Sequence, residues 1–130
     1  MVLNLTITPI FAALFTLIYI ALSLRVIDYR RKGRLGLGDG GRPEVMGAIR
    51  AHGNFNEYVP LALILMTLAE VQGAQHVLLS GAGAVMLFGR LSHAGSLLKL
   101  GPHDRLPMRT IGMVATFTGL AALAILAVLA

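Results

Sequence analysis

From Leu3 to Leu24 the chain reads LNLTITPIFAALFTLIYIALSL, a stretch without a charged side chain and without an amphipathic period. Its length is close to the roughly 20 residues that a helix needs to cross a hydrocarbon core. Three more apolar stretches follow, Ile49 to Leu68, His76 to Leu97 and Leu106 to Leu129. Only helices and closed barrels satisfy their own backbone groups in lipid, and these runs lack the alternation of barrel strands. The sequence therefore predicts an all-α fold, an integral membrane four-helix bundle.

The composition leaves little of the chain outside the membrane. Of the 130 residues, 56% are hydrophobic, and we expect helices at about residues 3–24, 44–70, 75–99 and 106–129. Together they are expected to form a single transmembrane domain over residues 1–130. The first helix is interpreted as a retained helix and not as a signal peptide, because no basic residue precedes it and it runs too long before a charge appears. A bundle this small buries few side chains by itself, so oligomerisation is expected.

The basic residues indicate how the chain lies across the membrane. All eleven Lys and Arg residues, from Arg25 to Arg109, can be placed towards one face. Because basic loops stay on the cytoplasmic side, the loops Arg25 to Glu44 and Leu100 to Leu106 are predicted to face inward, with both termini and the turn Glu70 to Ala74 outside. The net charge of +5 then reflects topology and attraction to anionic lipid, and no nucleic-acid partner is expected.

Polar residues are concentrated in one segment of the second predicted helix. Arg50, Asn54 and Glu57 fall within an arc of about 60° and present a cation, an amide and a carboxylate on one stripe. Ionisable groups inside a membrane are costly and indicate a functional site by default, although a neutralising Arg–Glu pair is the simpler alternative. His52 and Asn56 lie off the stripe and are expected to form interhelical hydrogen bonds.

The third and fourth predicted helices add basic groups near the same face. Arg90 and His93 are three positions apart and share a helix face, and Arg109 lies one turn inside the fourth helix. A metal site would want further ligands at helical spacing, and only Glu57 is a plausible third group, so no metal is predicted. The glycine-rich segment Gly33 to Gly41 lacks the Lys and Ser/Thr of a P-loop and follows no strand, so nucleotide binding is not predicted either.

The sequence contains no cysteine. Disulfides, thiolate metal ligands and a cysteine nucleophile are therefore excluded. Any thiol chemistry in this protein needs a thiol that arrives with a substrate.

Several motifs together carry a resemblance to a known family. They are RAHGNFNEYVP from Arg50 to Pro60, preceded by GDGG from Gly38 to Gly41 and followed by RLSH from Arg90 to His93 and PMRT from Pro107 to Thr110. This set resembles the MAPEG superfamily, the membrane-associated proteins in eicosanoid and glutathione metabolism, and within it the short bacterial members. The similarity covers nearly the whole chain, and the Arg-x-x-x-Asn-x-x-Glu pattern in a four-helix context is specific.

The resemblance implies a multi-pass homotrimer in the bacterial inner membrane, with both termini periplasmic. Glutathione, as a cosubstrate, is implied to bind between neighbouring subunits near the cytoplasmic face. The family's binding positions map onto the following residues of this chain: Arg50, Asn54, Glu57 and Tyr58 in helix two, Arg90 and His93 in helix three, and Arg25 or Arg30 at the end of helix one. Its fourth-helix arginine maps onto Arg109.

These residue types suit glutathione chemically. Arginines can bind its two carboxylates through bidentate charge-assisted bonds, Glu57 can bind its ammonium group, and Asn54 can pair with a peptide group. A thiol with a reference pKa of about 8.5 is mostly protonated at neutral pH, and a nearby guanidinium favours the thiolate that attacks. Arg109 is the candidate for this catalytic role, with Thr110 as a hydrogen-bond donor, and the acceptor is expected to be a small hydrophobic electrophile from the bilayer.

The chain departs from active relatives at two positions. Leu97 and Met113 stand where several of those relatives have tyrosines, which makes prostaglandin or leukotriene synthesis doubtful. Two function hypotheses remain: a glutathione transferase or peroxidase that acts on lipophilic electrophiles or hydroperoxides, and a non-catalytic thiol-binding membrane scaffold or sensor. A small multidrug transporter would want an acidic residue in the middle of helix one, and Leu3 to Leu24 contains none.

Overall fold

The computed structural model describes residues 4–98 and 106–130, which form four helices and, within those ranges, no strand. The helices are α1 (Thr8–Gly33), α2 (Pro43–Val71), α3 (His76–Leu98) and α4 (Leu106–Leu129). The all-α four-helix fold is thus confirmed. Predictions that fall on Leu3, on Lys99 and on the loop of residues 100–105 lie outside the described residues.

Neighbouring helices run in opposite directions. The side chain of Glu70, near the end of α2, contacts the backbone at the start of α1, and Ser92 of α3 bonds to Met108 of α4. We call the end of the bundle that carries the 34–42 loop the basic end, because the described basic residues lie towards it. The other end, with the start of α1 and the turn between α2 and α3, is the opposite end.

The first helix continues well past the expected end at Leu24. It begins at Thr8 and ends at Gly33, so Arg25 to Gly33, assigned to a loop from the sequence, is helical. Hydropathy locates the membrane boundary, but arginine and lysine are good helix formers and favour the negative end of the helix dipole. Arg30, Arg31 and Lys32 occupy that last turn. The prediction that Pro43 and Glu44 open the second helix is confirmed.

Three of the four helices, α1, α3 and α4, are long and apolar enough to cross a membrane by themselves. The second helix is not among them because it carries polar and charged side chains along its length. It packs against all three other helices and supplies much of the core, including Phe55, Val59 and Met66. The bundle thus keeps α2, which lacks such an apolar stretch, in contact with the three helices that have one.

The closest helix packing is between α3 and α4, and glycine makes it possible. A Cβ atom added to Gly112 would lie 2.6 Å from the backbone nitrogen of His93, and one added to Gly89 would lie 2.7 Å from that of Thr116. Small residues at helix crossings allow backbones in membranes to approach closely. These contacts fix the third helix against the fourth at the depth of the polar side chains.

Glu70 closes the opposite end of the bundle. Its Oε1 accepts hydrogen bonds from the backbone N–H groups of Thr6 (2.6 Å) and Ile7 (2.7 Å), and its Oε2 accepts one from Thr8 (2.8 Å). The first helix has no side-chain cap of its own. A carboxylate from α2 therefore caps α1 and compensates the positive end of its dipole.

Candidate functional site

Arg90 is the centre of the polar cluster within the subunit and is only 1% exposed. Its Nε donates to Oγ1 of Thr116 at 2.9 Å, and its Nη1 donates to Oδ1 of Asn54 and, at 3.4 Å, to the Asn54 carbonyl. Its Nη2 donates to Thr116 Oγ1 and to the Met113 sulfur. No carboxylate of the described residues forms an ion pair with it. The guanidinium is thus occupied by neutral acceptors from α2 and α4.

The predicted stripe on α2 divides between the inside and the outside of the subunit. Asn54 is buried against Arg90, whereas the side chains of Arg50 and Glu57 are 56% and 54% exposed and lie 4.0 Å apart. The sequence placed all three residues on one stripe, but Asn54 lies at one edge of that arc, about 40° from Arg50, and faces inward towards the buried cation. A loose ion pair therefore remains on the outer surface near the basic end.

His93 connects the buried cluster with the outer charges. Its side chain is buried, and Arg90, Arg109 and Arg50 supply positive charge near its ring. The backbone of His93 packs against Gly112 of α4. Three arginines from three helices therefore place positive charge around this histidine.

Tyr58 lies between the buried cluster and the fourth helix. Its half-buried ring faces the Arg90 guanidinium at 5.0 Å and packs edge-on against Phe117 at 5.8 Å. A cation over an aromatic face is attracted by the ring quadrupole. Of the predicted site residues, Tyr58 is thus in contact with Arg90 through its ring.

The two predicted catalytic residues lie in the first turn of α4. Arg109 is exposed, and its charge reaches His93. The hydroxyl of Thr110 is also exposed, but its hydrogen goes to the carbonyl of Leu106 at 3.1 Å. In this arrangement the guanidinium is available to a ligand, while Thr110 can offer a ligand its acceptor lone pairs.

The two alternatives at the end of helix one differ in their surroundings. Arg25 is exposed and stacks over the ring of Tyr29 at 4.8 Å. Arg30 is half-buried, and its Nε donates to the Gly38 carbonyl at 3.3 Å. Arg25 is therefore the freer of the two to bind a ligand.

The structure also shows what stands at the two departures from the family. Leu97 is buried in the core, and the sulfur of Met113 accepts a contact from Arg90 at 3.4 Å. The hydroxyl oxygen of Thr116 accepts hydrogen bonds from two nitrogens of Arg90, and the sequence analysis did not single this residue out. Thr116 lies seven positions after Arg109 and therefore on the same face of α4. A hydroxyl group within an apolar helix is the sequence feature that could have identified it as a site residue.

His52 behaves as the sequence predicted. Its Nε2 lies 3.0 Å from Ser23 Oγ, and its ring packs against Tyr19 with centroids 5.0 Å apart, so it joins α1 and α2. Beside it an apolar groove of about 200 Å³ runs between the same two helices, lined by Phe15 and Pro60 among others. Within the described part of the chain, no three His, Asp or Glu side chains come together as a potential metal site.

The comparisons with known proteins agree with this architecture. The MAPEG family model matches residues 8–129. The chain is 38% identical over 115 residues to inner membrane protein YecN of Escherichia coli strain K12, a match that covers 88% of this chain and 84% of YecN. The YecN protein of Escherichia coli O6:H1 matches to the same extent. This similarity and the apolar helices support an inner-membrane location. Both the motifs and the matched length show that the chain belongs to the MAPEG family.

Proposed function

We propose that the protein binds glutathione at the outer surface of α2 near the basic end and uses its thiol against lipophilic electrophiles or hydroperoxides. Arg50 and Glu57 bind the charged groups of the peptide, and Arg109 stabilises the thiolate. In this proposal the site is completed by a neighbouring subunit of a homotrimer, which contributes Arg25. The cytoplasmic side of the inner membrane is the proposed location of the site.

The observation that carries the proposal is the exposed pair of Arg50 and Glu57. Its ions are 4.0 Å apart and more than half exposed, while nearby large side chains on the same helix, Met46 and Leu61, are exposed and apolar. Charged groups within the bilayer do not face lipid but face protein, a polar ligand or a water-filled cavity. A partner subunit with a zwitterionic ligand between the two surfaces meets that requirement.

The chemistry proposed for Arg109 is electrostatic. A guanidinium beside a thiol favours the thiolate, which is the nucleophile in conjugation to an electrophile and in reduction of a peroxide. Arg90 and Arg50 add their positive charges to that of Arg109 near His93. Three like charges from three helices create a positive field in which an anion is stabilised.

A second function is favoured by a different observation. Arg90 already has neutral partners for its donors, and the positions of the relatives' tyrosines are occupied by the side chains of Leu97 and Met113. A site without such a hydroxyl can still hold a thiol peptide. We therefore propose as the alternative a thiol-binding membrane scaffold or sensor that performs no chemistry.

Calorimetry on protein purified in detergent tests the binding site. We expect glutathione to bind, and Arg50→Ala or Glu57→Ala to weaken binding roughly ten- to hundredfold, since each removes hydrogen bonds to a charged group. Lys32→Ala is the matched control, because it removes a charge from an exposed ion pair outside the site, the one with Asp28 at 2.7 Å. Absence of binding to the wild-type protein would contradict both proposed functions.

Thiolate formation separates the enzyme from the scaffold. With glutathione bound, we expect the ultraviolet absorbance of a thiolate, which Arg109→Ala abolishes with a smaller effect on binding. Conjugation of chlorodinitrobenzene and reduction of a lipid hydroperoxide are then measured on the same samples. Binding without thiolate or turnover favours the scaffold.

A further inference from the structure

The loop between α1 and α2, residues 34–42, presents an apolar side chain at its apex. Leu37 is 88% exposed, more than any other large hydrophobic residue in the described part of the chain. Glycines flank it on both sides, Gly36 and Gly38. No side chain from residues 4–98 or 106–130 covers this leucine, although the rest of the loop is held by several contacts.

Several contacts hold the loop in place without Leu37. The N–H of Leu35 donates to the Arg30 carbonyl at 2.9 Å, and the side chain of Leu35 lies against Gly33 and Gly40. The guanidinium of Arg30 in turn holds the carbonyl of Gly38 at 3.3 Å. These contacts draw the apex towards the last turns of α1, so Leu37 is presented outward from a fixed position.

The surroundings of Leu37 are strongly basic. From Arg25 to Arg42 the chain has six basic and two acidic residues. Lys32 is paired with one of the acids, Asp28, at 2.7 Å. Arg31, Arg34 and Arg42 are exposed, and none of them forms an ion pair with a described residue.

We propose that the 34–42 loop binds acidic phospholipids of the leaflet at the basic end, with Leu37 inserted among their acyl chains and the three exposed arginines on their phosphate groups. An exposed apolar residue amid basic residues is the pattern of interfacial binding to anionic lipid. The first helix has 26 residues, about 39 Å, against a hydrocarbon core of about 30 Å. Its last turns and the attached loop therefore lie at the level of the headgroups.

Charge complementarity favours lipid over a second copy of the chain as the occupant. A second copy seated over Leu37 would place its own basic loop directly against this one, and like charges repel. A leaflet that contains acidic lipid offers phosphates, and each arginine near such a surface contributes to attraction. This proposal depends on the loop alone and is independent of whether the protein binds glutathione.

Because the chain has no tryptophan, Leu37→Trp gives a single fluorescent reporter in the full-length protein. In phosphatidylcholine vesicles that contain phosphatidylglycerol, we expect emission shifted to the blue, quenching by brominated acyl chains and protection from iodide. In vesicles of phosphatidylcholine alone we expect these effects to be weaker. Gln75→Trp, exposed in the turn at the opposite end, is the control whose emission does not depend on lipid charge.

Three outcomes overturn the proposal. They are equal emission in the two kinds of vesicle, iodide quenching as strong as for free tryptophan, and a blue shift without quenching by brominated lipid, which indicates a second copy over Leu37. The chain also has no cysteine, so spin-labelled Leu37→Cys measures the depth of the apex independently if the tryptophan variant folds poorly.

Neutralised arginines test the electrostatic part. Arg31→Gln and Arg42→Gln are each expected to lower, roughly fivefold, the amount of phosphatidylglycerol that the protein retains when it is extracted from mixed nanodiscs. Arg31→Lys keeps the charge and is expected to retain the lipid. If the glutamine and lysine variants retain equal amounts, the arginines do not bind the headgroups and the proposal fails.

Discussion

Arg90 shows how a charge is kept inside a membrane subunit without a carboxylate among the described residues. Five contacts to oxygen and sulfur atoms, two of them to the hydroxyl of Thr116, occupy its donors. A buried cation that loses its acceptors is costly, whereas one with satisfied donors is tolerated. The hydroxyl of Thr116 is therefore a principal acceptor for the buried guanidinium.

Thr116→Val tests that role with little change of side-chain shape. We expect a loss of about 1–2 kcal/mol in the free energy of unfolding, because the guanidinium loses an acceptor that two of its nitrogens share. Thermal unfolding in detergent provides the measurement. Thr118→Val, an exposed threonine on the same helix, is the control and should change little. Equal effects of the two substitutions would mean that the Arg90 contacts contribute nothing to stability.

Glu70 makes a pH-dependent contribution at the opposite end, beyond the apolar stretch of α2. Burial raises the pKa of Glu70, but hydrogen bonds from the backbone N–H groups of Ile7, Thr8 and Thr6 outweigh it and lower the pKa from 4.5 to about 2. A carboxylate whose pKa is lower in the folded than in the unfolded state stabilises the folded state at pH values above its unfolded pKa. That stability is lost as the pH falls from about 4.5 towards about 2.

Glu70→Gln should remove this contribution. The variant is expected to lose about 1–2 kcal/mol at neutral pH, since an amide cannot accept three N–H bonds as a carboxylate does. Its unfolding temperature should also fall less than that of the wild type between pH 4.5 and about 2. Glu44→Gln, exposed in the first turn of α2, controls for general charge effects. A wild-type-like pH profile for the Glu70 variant would show that the cap is unimportant.

The packing of α3 against α4 determines the positions of the buried polar residues of the candidate site. A Cβ at position 112 would lie 2.6 Å from the backbone nitrogen of His93 and 2.9 Å from its Cα, and backbone atoms cannot move aside as a flexible side chain can. The helices must separate or slide, which changes where His93 and Arg90 stand relative to Thr116. The glycine is thus required by the spacing between two helices.

Gly112→Ala is expected to destabilise the protein by about 1–3 kcal/mol through overpacking. Gly81→Ala is the matched control on α3, because no atom lies within 4 Å of its added Cβ. That control should be neutral or stabilising, by up to about 1 kcal/mol. Thermal unfolding of both variants, with glutathione binding measured on each, gives the comparison. Similar stability of the two alanine variants would argue against the close packing.

The sequence predicts the number of helices better than it predicts where each helix ends. The four apolar runs predicted four helices, and Pro43 marked the start of α2 correctly. The end of α1 was placed at Leu24 because hydropathy falls at Arg25, yet the helix continues to Gly33. A change of solvent from lipid to headgroups does not interrupt backbone hydrogen bonding, so the charge boundary and the helix boundary differ.

At the level of the whole molecule, local spacing identified the residues of the candidate site but not their orientation. Asn54 shares an arc with Arg50 and Glu57, and its inward orientation depends on Arg90 from another helix. Likewise Thr116 became visible only as the partner of that arginine. Contacts between helices distant in sequence decide such orientations, and a pattern within one helix carries no information about them.

The exposed polar surface of α2 is the feature of the whole molecule that calls for a partner. One subunit leaves Arg50 and Glu57 more than half exposed on a helix that also exposes large apolar side chains such as Leu61. It leaves Arg25 exposed on α1, about two turns before that helix ends. Closed symmetric assemblies can combine two different surfaces of one chain in each interface. In the proposed trimer, the α2 surface of one subunit and Arg25 of the next form each glutathione site.

Co-expression of two inactive variants tests whether a site is shared. Arg50→Ala and Arg25→Ala subunits should each bind glutathione weakly as pure assemblies, whereas mixed trimers should regain about a third of the wild-type sites, because an intact α2 surface then meets an intact Arg25 at one of the three interfaces. Calorimetry on assemblies carrying two different purification tags measures the recovery, and native mass spectrometry counts the 13.8 kDa chains in each. If each site lies within one subunit, mixing restores nothing. Recovery in the mixed assemblies, with none in a simple mixture of separately purified variants, would place the ligand between neighbouring chains.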